Sequence, residues 1–446
     1  MDTRSRYVLN IFRHLYQVPD EVEIFYGDDQ YPNTKGVFVP NHAGDFFEDR
    51  NQVDPATLTS REWKNTEVPF LFEQTAEADF FTRQSDAIRF SYDIIGASFY
   101  FLSGWQEYVS PKRDKYGRYP YRQSLQFKLG APHIPFVNYY FDILKTAIEQ
   151  VYSVELAPRK IESHPYTFIL THDIDSVYSG WLQDGYSALK SGKTGRLIRI
   201  LLQKMKGDDP WFNLGEIIAF EKKRGVDSTF FFLARQGTHQ GIKHADYSLE
   251  DPAIPQLMDQ VRNAGAEIGL HGDVEAHRSP AALKRSMNRC GPTIKGNRFH
   301  FLMFDVRKTP GILSSCGLEY DSTLGFSEHV GFRNGICHPF PLYDLENNRP
   351  TTVLEIPLAV MDVTLHNAKY MGLPPEQAFS GIEPVIRELH KFNGAVSILW
   401  HNNYFSDLKY HGWKDVLDEV FTRARTDEAL ITKAETVLQT FNFSSR

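Results

Sequence analysis

The sequence predicts an α/β fold in which a mostly parallel sheet carries its functional residues at the ends of the strands. In the second half of the chain a helical pattern, a glycine and an apolar strand recur in that order. Several of these strands end directly in aspartate or histidine, and α/β sheets bind ligands at the carboxyl ends of their strands. Such units favour a (β/α) barrel, with a flat doubly wound sheet as the alternative.

The helix–strand units can be read from the spacing of apolar residues and the glycine that ends each helix. The predicted units are helix 213–224, Gly225 and strand 226–234; helix 254–264, Gly265 and strand 266–270; helix 375–392, Gly394 and strand 395–400. The first half of the chain lacks this regularity. Its strands are short, and an apolar stretch at 94–105 predicts a buried helix.

The strand Tyr166–Asp175, YTFILTHDID, is the most informative segment of the chain. It places Asp173 and Asp175 at its end, where carboxylates suit a base and a metal ligand. The alternative is a helix cap or an Asx-turn after the strand.

Two further strands end in histidine. His271 follows 266–270, and His401 follows 395–400. A single histidine after a strand is usually structural, but Asp and His at three separate strand ends suit a zinc-like ion. We therefore interpret these ends as parts of one active site.

The ordered motifs THDID, HGDVEAH, NRFHFL and ILWH resemble those of the polysaccharide deacetylases of the carbohydrate-esterase type, which remove N- or O-acetyl groups from sugars. The resemblance runs from about Tyr166 to the C-terminus. It implies a distorted, incomplete (β/α) barrel over residues 161–446. Residues 1–160 are then a smaller N-terminal α+β domain of unknown role, and the segment 93–108 resembles a companion region of a bacterial subgroup of the family.

The resemblance also implies roles for individual residues. Asp173 is expected to be the catalytic base, Asp175 and His271 metal ligands, and His401 the catalytic acid. Arg298 is expected to hold the base ionised and oriented. Outside the motif, Arg298 could equally form an ordinary surface ion pair.

Three positions depart from the family pattern. Ile174 separates two aspartates that usually adjoin, and His300 stands where the family often has proline. In the second motif the next histidine after His271 is His277, six positions on rather than four. The third metal ligand is therefore open between His277, which we favour, Glu275, and Asp273 or a water.

The predicted function is that of a metal-dependent deacetylase, a hydrolase of carbon–nitrogen bonds other than peptide bonds. Its cofactor is a divalent metal, expected to be zinc, and its substrate an acetylated sugar or polysaccharide. The alternatives are a hydrolase of the same fold acting on another C–N or ester bond, and a catalytically silent carbohydrate-binding relative.

Composition agrees with a sizeable globular enzyme. The three cysteines are few and widely spaced, which argues against a disulfide framework. A net charge of -7 without a basic stripe argues against nucleic-acid binding.

The segment 190–206, KSGKTGRLIRILLQKMK, predicts an amphipathic helix with solvent-facing Lys and Arg, or a membrane-surface or polyanion contact. Neither a membrane span nor a secretory signal is predicted, so the expected location is cytoplasmic; protein partners and oligomeric state stay open.

Overall fold

The computed structural model of the chain describes residues 2–27, 34–73 and 79–443. Within these residues the fold is mixed α/β, with one ten-stranded sheet and three small sheets.

Within residues 2–152, the described part of the N-terminal region contains five helices and six short strands. Its elements are α1 Thr3–Tyr16, β1 Ile24–Tyr26, β2 Gly36–Val39, β3 Thr59–Trp63, β4 Thr66–Phe70, β5 Phe81–Gln84, β6 Ala87–Phe90, α2 Ile94–Leu102, α3 Trp105–Val109, α4 Leu125–Lys128 and α5 Phe136–Tyr152. The order β1-β2-β6-β5 forms one sheet, and β3 pairs with β4 in a hairpin.

The predicted helix at 94–105 is two helices. α2 is buried along its whole length, in agreement with its apolar sequence. It ends at Leu102 because Gly104 adopts a left-handed conformation with φ 68°, a usual way of ending a helix. The chain then turns and α3 starts at Trp105.

The second region, from residue 167, alternates strands and helices. Its first half contains β7 Thr167–Ile174, α6 Gly180–Lys190, α7 Thr194–Met205, α8 Leu214–Lys222, β8 Thr229–Leu233, β9 Thr238–His239, β10 Ile242–Lys243, α9 Ala253–Asn263, β11 Glu267–Gly272, α10 Pro280–Cys290 and β12 Gly296–Phe299. Its second half contains α11 Thr309–Cys316, β13 Tyr320–Asp321, β14 Phe340–Asp344, β15 Arg349–Glu355, β16 Leu358–Met361, α12 Asp362–His366, α13 Pro375–Phe392, β17 Ala395–Leu399, α14 Trp413–Thr426, β18 Leu430–Thr432 and α15 Ala434–Thr440. Short 3₁₀ turns lie at Pro55–Thr57, Tyr121–Gln123, Ala276–Arg278, His300–Leu302 and Asn402–Phe405.

The large sheet is curled like an incomplete barrel. Its order is β16-β17-β7-β8-β11-β12-β13-β15-β14, with β18 beside β7, and every pair except β14–β15 is parallel. The first strand of the region, β7, lies between β8 and the last long strand, β17, as in a barrel and not in a doubly wound sheet.

One chain segment joins the two edges of this curl. β15 hydrogen-bonds to β13 at one edge, and β16, only two residues later, pairs with β17 at the other. Between them, Ile356 donates its N–H to Asp321 O at 2.8 Å, and Pro357 O accepts from Ser397 N at 2.8 Å. The sheet is therefore curled almost to closure.

The structure confirms the three predicted helices as α8, α9 and α13. α8 is shorter than predicted, α9 is displaced by one residue, and α13 has the predicted bounds. Gly225 and Gly265 follow the first two with φ of 69° and 87°. After α13 the left-handed residue is Asn393, with φ 54°, and not the expected Gly394. Asparagine tolerates this conformation better than most side chains, so it can end a helix in place of glycine.

The N-terminal region packs directly on the barrel. Glu107 of α3 and Arg333 form a buried two-pronged ion pair, with N–O distances of 2.7 and 2.6 Å. Buried apolar side chains run without a break from α1 to α15. The predicted domain boundary near residue 160 falls in the stretch 153–166, which has no helix or strand; that the two parts are separate domains stays a prediction.

All three cysteines are free thiols. Within the described residues, none of the helices combines the length and the hydropathy needed to traverse a lipid bilayer.

Candidate active site

Asp173 and Asp175 lie at the carboxyl end of β7, the third strand of the barrel sheet when counted from β16. Side chains two residues apart in a strand point to the same face, which explains why Ile174 separates them. Both carboxylates line one cavity, together with His271, His300 and His401. The ends of the three predicted strands, β7, β11 and β17, therefore meet at one cavity. The end of a fourth strand, β12, meets them there.

His271 and His300 face each other from neighbouring parallel strands. His271 ends β11, and its Nδ1 lies 2.8 Å from the carbonyl oxygen of Arg298. His300 follows β12, and its Nε2 lies 2.9 Å from the carbonyl oxygen of Lys243. Because a carbonyl only accepts, these two ring nitrogens carry hydrogen. In the neutral rings the other two nitrogens, 3.1 Å apart, then present lone pairs to each other.

Asp175 completes this cluster. Its Oδ1 lies 3.3 Å from His271 Nε2 and 3.5 Å from His300 Nδ1. The oxygen is buried and has no hydrogen-bond partner among the described residues. One ligand atom from each of the three residues lies within 4.8 Å of the other two. Two nitrogen lone pairs and an unpartnered carboxylate oxygen converge, and this donor set fits a divalent cation such as zinc.

Electrostatics follow from burial and the facing charges. Burial alone would raise the pKa of Asp175, but the histidines at 300, 271 and 401 together hold it well below its usual range. Burial lowers the pKa of His300 to about 4. Burial also opposes the charge on His271, yet Asp173 and Asp175 raise its pKa.

Arg298 lies inside the barrel and is fully buried. It donates to Asp173 Oδ1 at 3.1 Å and to Thr171 Oγ1 at 2.7 Å. Its other donors go to the carbonyl and hydroxyl oxygens of Ser322 and to Ser397 Oγ, at 2.7 to 2.8 Å. All five N–H groups of the guanidinium are thus used. It therefore holds Asp173 in a fixed orientation and is no surface ion pair.

His401 follows β17 and is held by Asp362, the first residue of α12. Its Nδ1 lies 2.8 Å from Asp362 Oδ1. Asp362 Oδ2 also accepts the backbone N–H of His401 at 2.5 Å. Burial would lower the pKa of His401, but Asp362 outweighs it and raises the pKa to about 9. The ring is therefore protonated at neutral pH, with Nε2 directed into the cavity 3.9 Å from Asp175 Oδ2.

The cavity has a volume of about 210 Å³, and the N-terminal region supplies part of its wall. Tyr116 stacks on Phe301, with ring centroids 4.6 Å apart and planes at 8°. Arg118, paired with Asp114, donates to the carbonyl oxygen of Phe301 at 3.0 Å. Phe301 has a φ of 56°, unusual for an aromatic residue, and directly follows His300. The N-terminal region therefore fixes the turn that carries His300.

The loop that follows β11, residues 273–277, lies apart from the cluster, and none of these residues lines the cavity. His277 is buried, with its ring 6.0 Å from that of Phe299, and burial lowers its pKa to about 4. Glu275 and Asp273 both pair with Arg235, at 3.0 and 3.3 Å. The structure thus brings His300, and not His277 or Glu275, next to Asp175 and His271.

Sequence reasoning assigned no role to His300, Asp362, Tyr116 or Arg118. The first two directly follow β12 and β16, so the strand-end rule that singled out Asp175, His271 and His401 would have found them. Nothing local marks Tyr116 and Arg118, because their contacts with residue 301 depend on tertiary packing.

Comparisons with known proteins give limited similarity. A model described as a family of unknown function, DUF7033, matches residues 3–153, and no curated protein matches the chain. The chain is similar to a candidate polysaccharide deacetylase from Mycobacterium smegmatis, with 17% identity and a TM-score of 0.40 over 62% of this chain and 90% of that one.

Two further solved structures are similar. A mutant of a CE4 family pseudoenzyme with restored enzymatic activity has 11% identity and a TM-score of 0.33, over 66% of this chain and 74% of that one. A peptidoglycan N-acetylglucosamine deacetylase in complex with a benzamide compound has 13% identity and a TM-score of 0.31, over 63% and 96%. At these values, function has to be inferred from the residues of the site.

Proposed function

We propose that this chain is a metal-dependent hydrolase that removes acetyl groups from N- or O-acetylated saccharides. The observation that carries the proposal is the convergence of Asp175, His271 and His300 on one point of a cavity that Asp173 and His401 also line. The order of the deacetylase-like motifs along the chain supports the same reaction.

In this proposal Asp175, His271 and His300 hold a divalent cation, expected to be zinc. His300 takes the position for which the sequence favours His277. Two imidazoles and a carboxylate are a usual zinc ligand set that leaves room for water or substrate. When bound, such an ion polarises a carbonyl oxygen and lowers the pKa of a water molecule toward neutrality.

Asp173 is the proposed base. It lies beside the cluster, with Oδ2 3.6 Å from His271 Nε2, and so within reach of a water held there. Arg298 occupies Oδ1 and fixes the orientation of the carboxylate, which leaves Oδ2 to take a proton from the attacking water.

His401 is the proposed acid. The amine or alkoxide released from an acetyl group is a poor leaving group and needs a proton. The charged Nε2 can donate it, because Asp362 holds the other nitrogen and keeps the ring protonated at neutral pH. Asp173 and His401 thereby divide base and acid duties between two differently tuned groups.

The test is acetate release from a panel of N- and O-acetylated oligosaccharides, measured alongside the zinc content of the purified protein. Asp173→Asn should abolish turnover and leave zinc content near that of the parent, because only the base is lost. Asp175→Ala should remove both, because a charged ligand is lost. Asp208→Asn, at an exposed aspartate, is the matched control and should change neither.

Each other result contradicts part of the proposal. Zinc without acetate release would point to another C–N or ester bond as the target. A protein with neither zinc nor turnover would be a silent binding relative. Loss of zinc in Asp173→Asn would exchange the roles of the two aspartates.

A further inference from the structure

Helices α6 and α7 form a hairpin that exposes an unusual amount of apolar surface. The described residues include nine exposed large apolar side chains, and eight of them lie between positions 182 and 212. These eight are Leu182, Tyr186, Leu189, Ile198, Leu201, Leu202, Met205 and Phe212, and Met205 is 83% exposed. Scattered single apolar residues are normal on a surface, but such a concentration marks an interaction site.

The spacing of these residues shows that each helix has an apolar stripe facing outward. In α6 the stripe is Leu182, Tyr186 and Leu189, and in α7 it is Ile198, Leu201, Leu202 and Met205. α7 has a separate inward stripe. Its Ile200 is 3% exposed, and its Leu197 packs over Gly185 of α6. The outward stripes are therefore not needed to hold the hairpin on the protein.

The charge of the hairpin is opposite to that of the whole chain. Between residues 180 and 206 there are six basic residues, all exposed: Lys190, Lys193, Arg196, Arg199, Lys204 and Lys206. The single acid in this range, Asp184, is buried and accepts a hydrogen bond from Ser406 Oγ at 2.7 Å. The chain as a whole carries a net charge of -7.

We propose that the α6–α7 hairpin docks on the surface of an anionic lipid membrane. Outward apolar stripes whose exposed charged neighbours within α6 and α7 are all Lys or Arg suit helices that lie in the headgroup region of such a membrane. A second copy of this chain fits less well, because a two-fold interface would bring the same basic residues together.

The hairpin is anchored close to the candidate active site. α6 starts five residues after Asp175, and its Ser187 hydroxyl lies 3.5 Å from the carbonyl oxygen of Leu408. Arg196 of α7 lies 3.4 Å from the carbonyl oxygen of Asp407. Both contacts are to the loop that follows His401. A membrane bound by the hairpin would thus lie at the same edge of the barrel as the cavity.

The experiment is co-sedimentation of the full chain with extruded vesicles. Phosphatidylcholine vesicles containing 30% phosphatidylglycerol should bind at least tenfold more protein than phosphatidylcholine alone, and 0.5 M NaCl should weaken the binding. The double variant L201E/M205E should lose at least tenfold of the binding. Phe127→Glu is the matched control, because Phe127 is an exposed apolar residue outside the hairpin, at 42% exposure, and should bind like the parent.

Other outcomes overturn the proposal. Equal binding to neutral vesicles, or full binding by both L201E/M205E and R196E/R199E, would exclude this surface as the docking site. If R196E/R199E loses binding while L201E/M205E keeps it, the site is one for a polyanion. If the parent binds no vesicles and light scattering shows a dimer that L201E/M205E dissociates, the partner is a second copy. Thermal unfolding of each variant checks that it is folded, and the chosen positions are all exposed.

Discussion

His300 and His401 are the same residue in the same kind of position, yet their surroundings give them opposite properties. His300 directly follows β12, His401 is the second residue after β17, and both line the cavity. His300 holds its Nε2 against a backbone carbonyl, and burial keeps its pKa near 4. His401 holds its Nδ1 against the carboxylate of Asp362, and its pKa is about 9.

For these two histidines the difference follows from the partner of the second ring nitrogen, whereas His271, which also holds a carbonyl, has its pKa raised by the facing Asp173 and Asp175. A carbonyl fixes the tautomer without adding charge, which leaves a neutral ring with a lone pair for a metal. A buried carboxylate stabilises the imidazolium, which leaves a proton to give away. Position after a strand identifies a functional histidine, and its partner identifies the function.

Alanine substitutions of the two histidines should give the largest effects and should separate them. His300→Ala should weaken zinc binding by at least about a hundredfold, because a direct ligand is lost. His401→Ala should keep zinc and lower kcat by about 10² to 10⁴, the usual contribution of a general acid. Zinc affinity by competition with a chelator, and kcat on the best acetylated substrate, are the measurements. Equal loss of zinc binding in both variants would contradict the different roles assigned to the two histidines.

Asp362→Asn should make the surroundings of His401 resemble those of His300, because the carboxylate beside its Nδ1 is replaced by a neutral amide. With the carboxylate, His401 stays protonated up to about pH 9, so kcat/KM should fall above that pH. Without it, only Asp175 and Asp173 oppose burial, so the pKa of His401 drops and the fall should begin at a lower pH. The pH profile of kcat/KM measures this. An unmoved alkaline limb would show that His401 is not the group titrating there.

Arg118→Ala should have a moderate effect confined to the His300 side. Loss of the hydrogen bond to Phe301 releases the turn beside His300, and changes around a metal ligand cost about 10- to 100-fold in affinity. We expect about tenfold weaker zinc binding with the alkaline limb of the pH profile unchanged. Lys112→Ala, an exposed residue of the same loop, is the control and should match the parent. A shift of the alkaline limb would mean that the surroundings of His300 also affect the titration of His401.

His277→Ala should have the smallest effect on the site. Its buried ring packs beside Phe299, so the free energy of unfolding should fall by about 1 to 3 kcal/mol, as for other buried side chains. Zinc affinity should stay within about threefold of the parent. Urea unfolding and chelator competition measure the two quantities. If instead zinc affinity falls as in His300→Ala, His277 is a ligand after all, as the sequence favours.

Much of the barrel could be predicted because its signals are local. Helical periodicity and the following left-handed residue define α8 and α9, and the aspartate pair marks the end of β7. Position after a strand would also have made His300 a candidate for the third place in the cluster, but it could not have chosen His300 over His277. His300 lies in the cluster because β12 pairs with β11 in the sheet. This pairing cannot be read from the sequence of either strand.

The path of the loop after His271 could not be predicted for a related reason. Spacing along the chain suggested a loop that returns to His271, but Asp273 and Glu275 pair with Arg235 instead. Arg235 lies forty residues from Glu275, so a residue distant in sequence decides which way the loop turns. The wall contributed by Tyr116 and Arg118 was beyond prediction because it needs the relative position of the two regions.

The ion pair between Glu107 and Arg333 has a consequence for how such chains can diverge. Both side chains are nearly inaccessible to water, at 4% and 3% exposure, and they come from opposite regions of the chain. Removing one member of a buried pair is strongly destabilising, because the other charge stays without a partner. Recombination that exchanged the N-terminal region alone would risk this mismatch. The two regions are therefore expected to be inherited together, and substitutions at 107 and 333 to be accepted only in pairs.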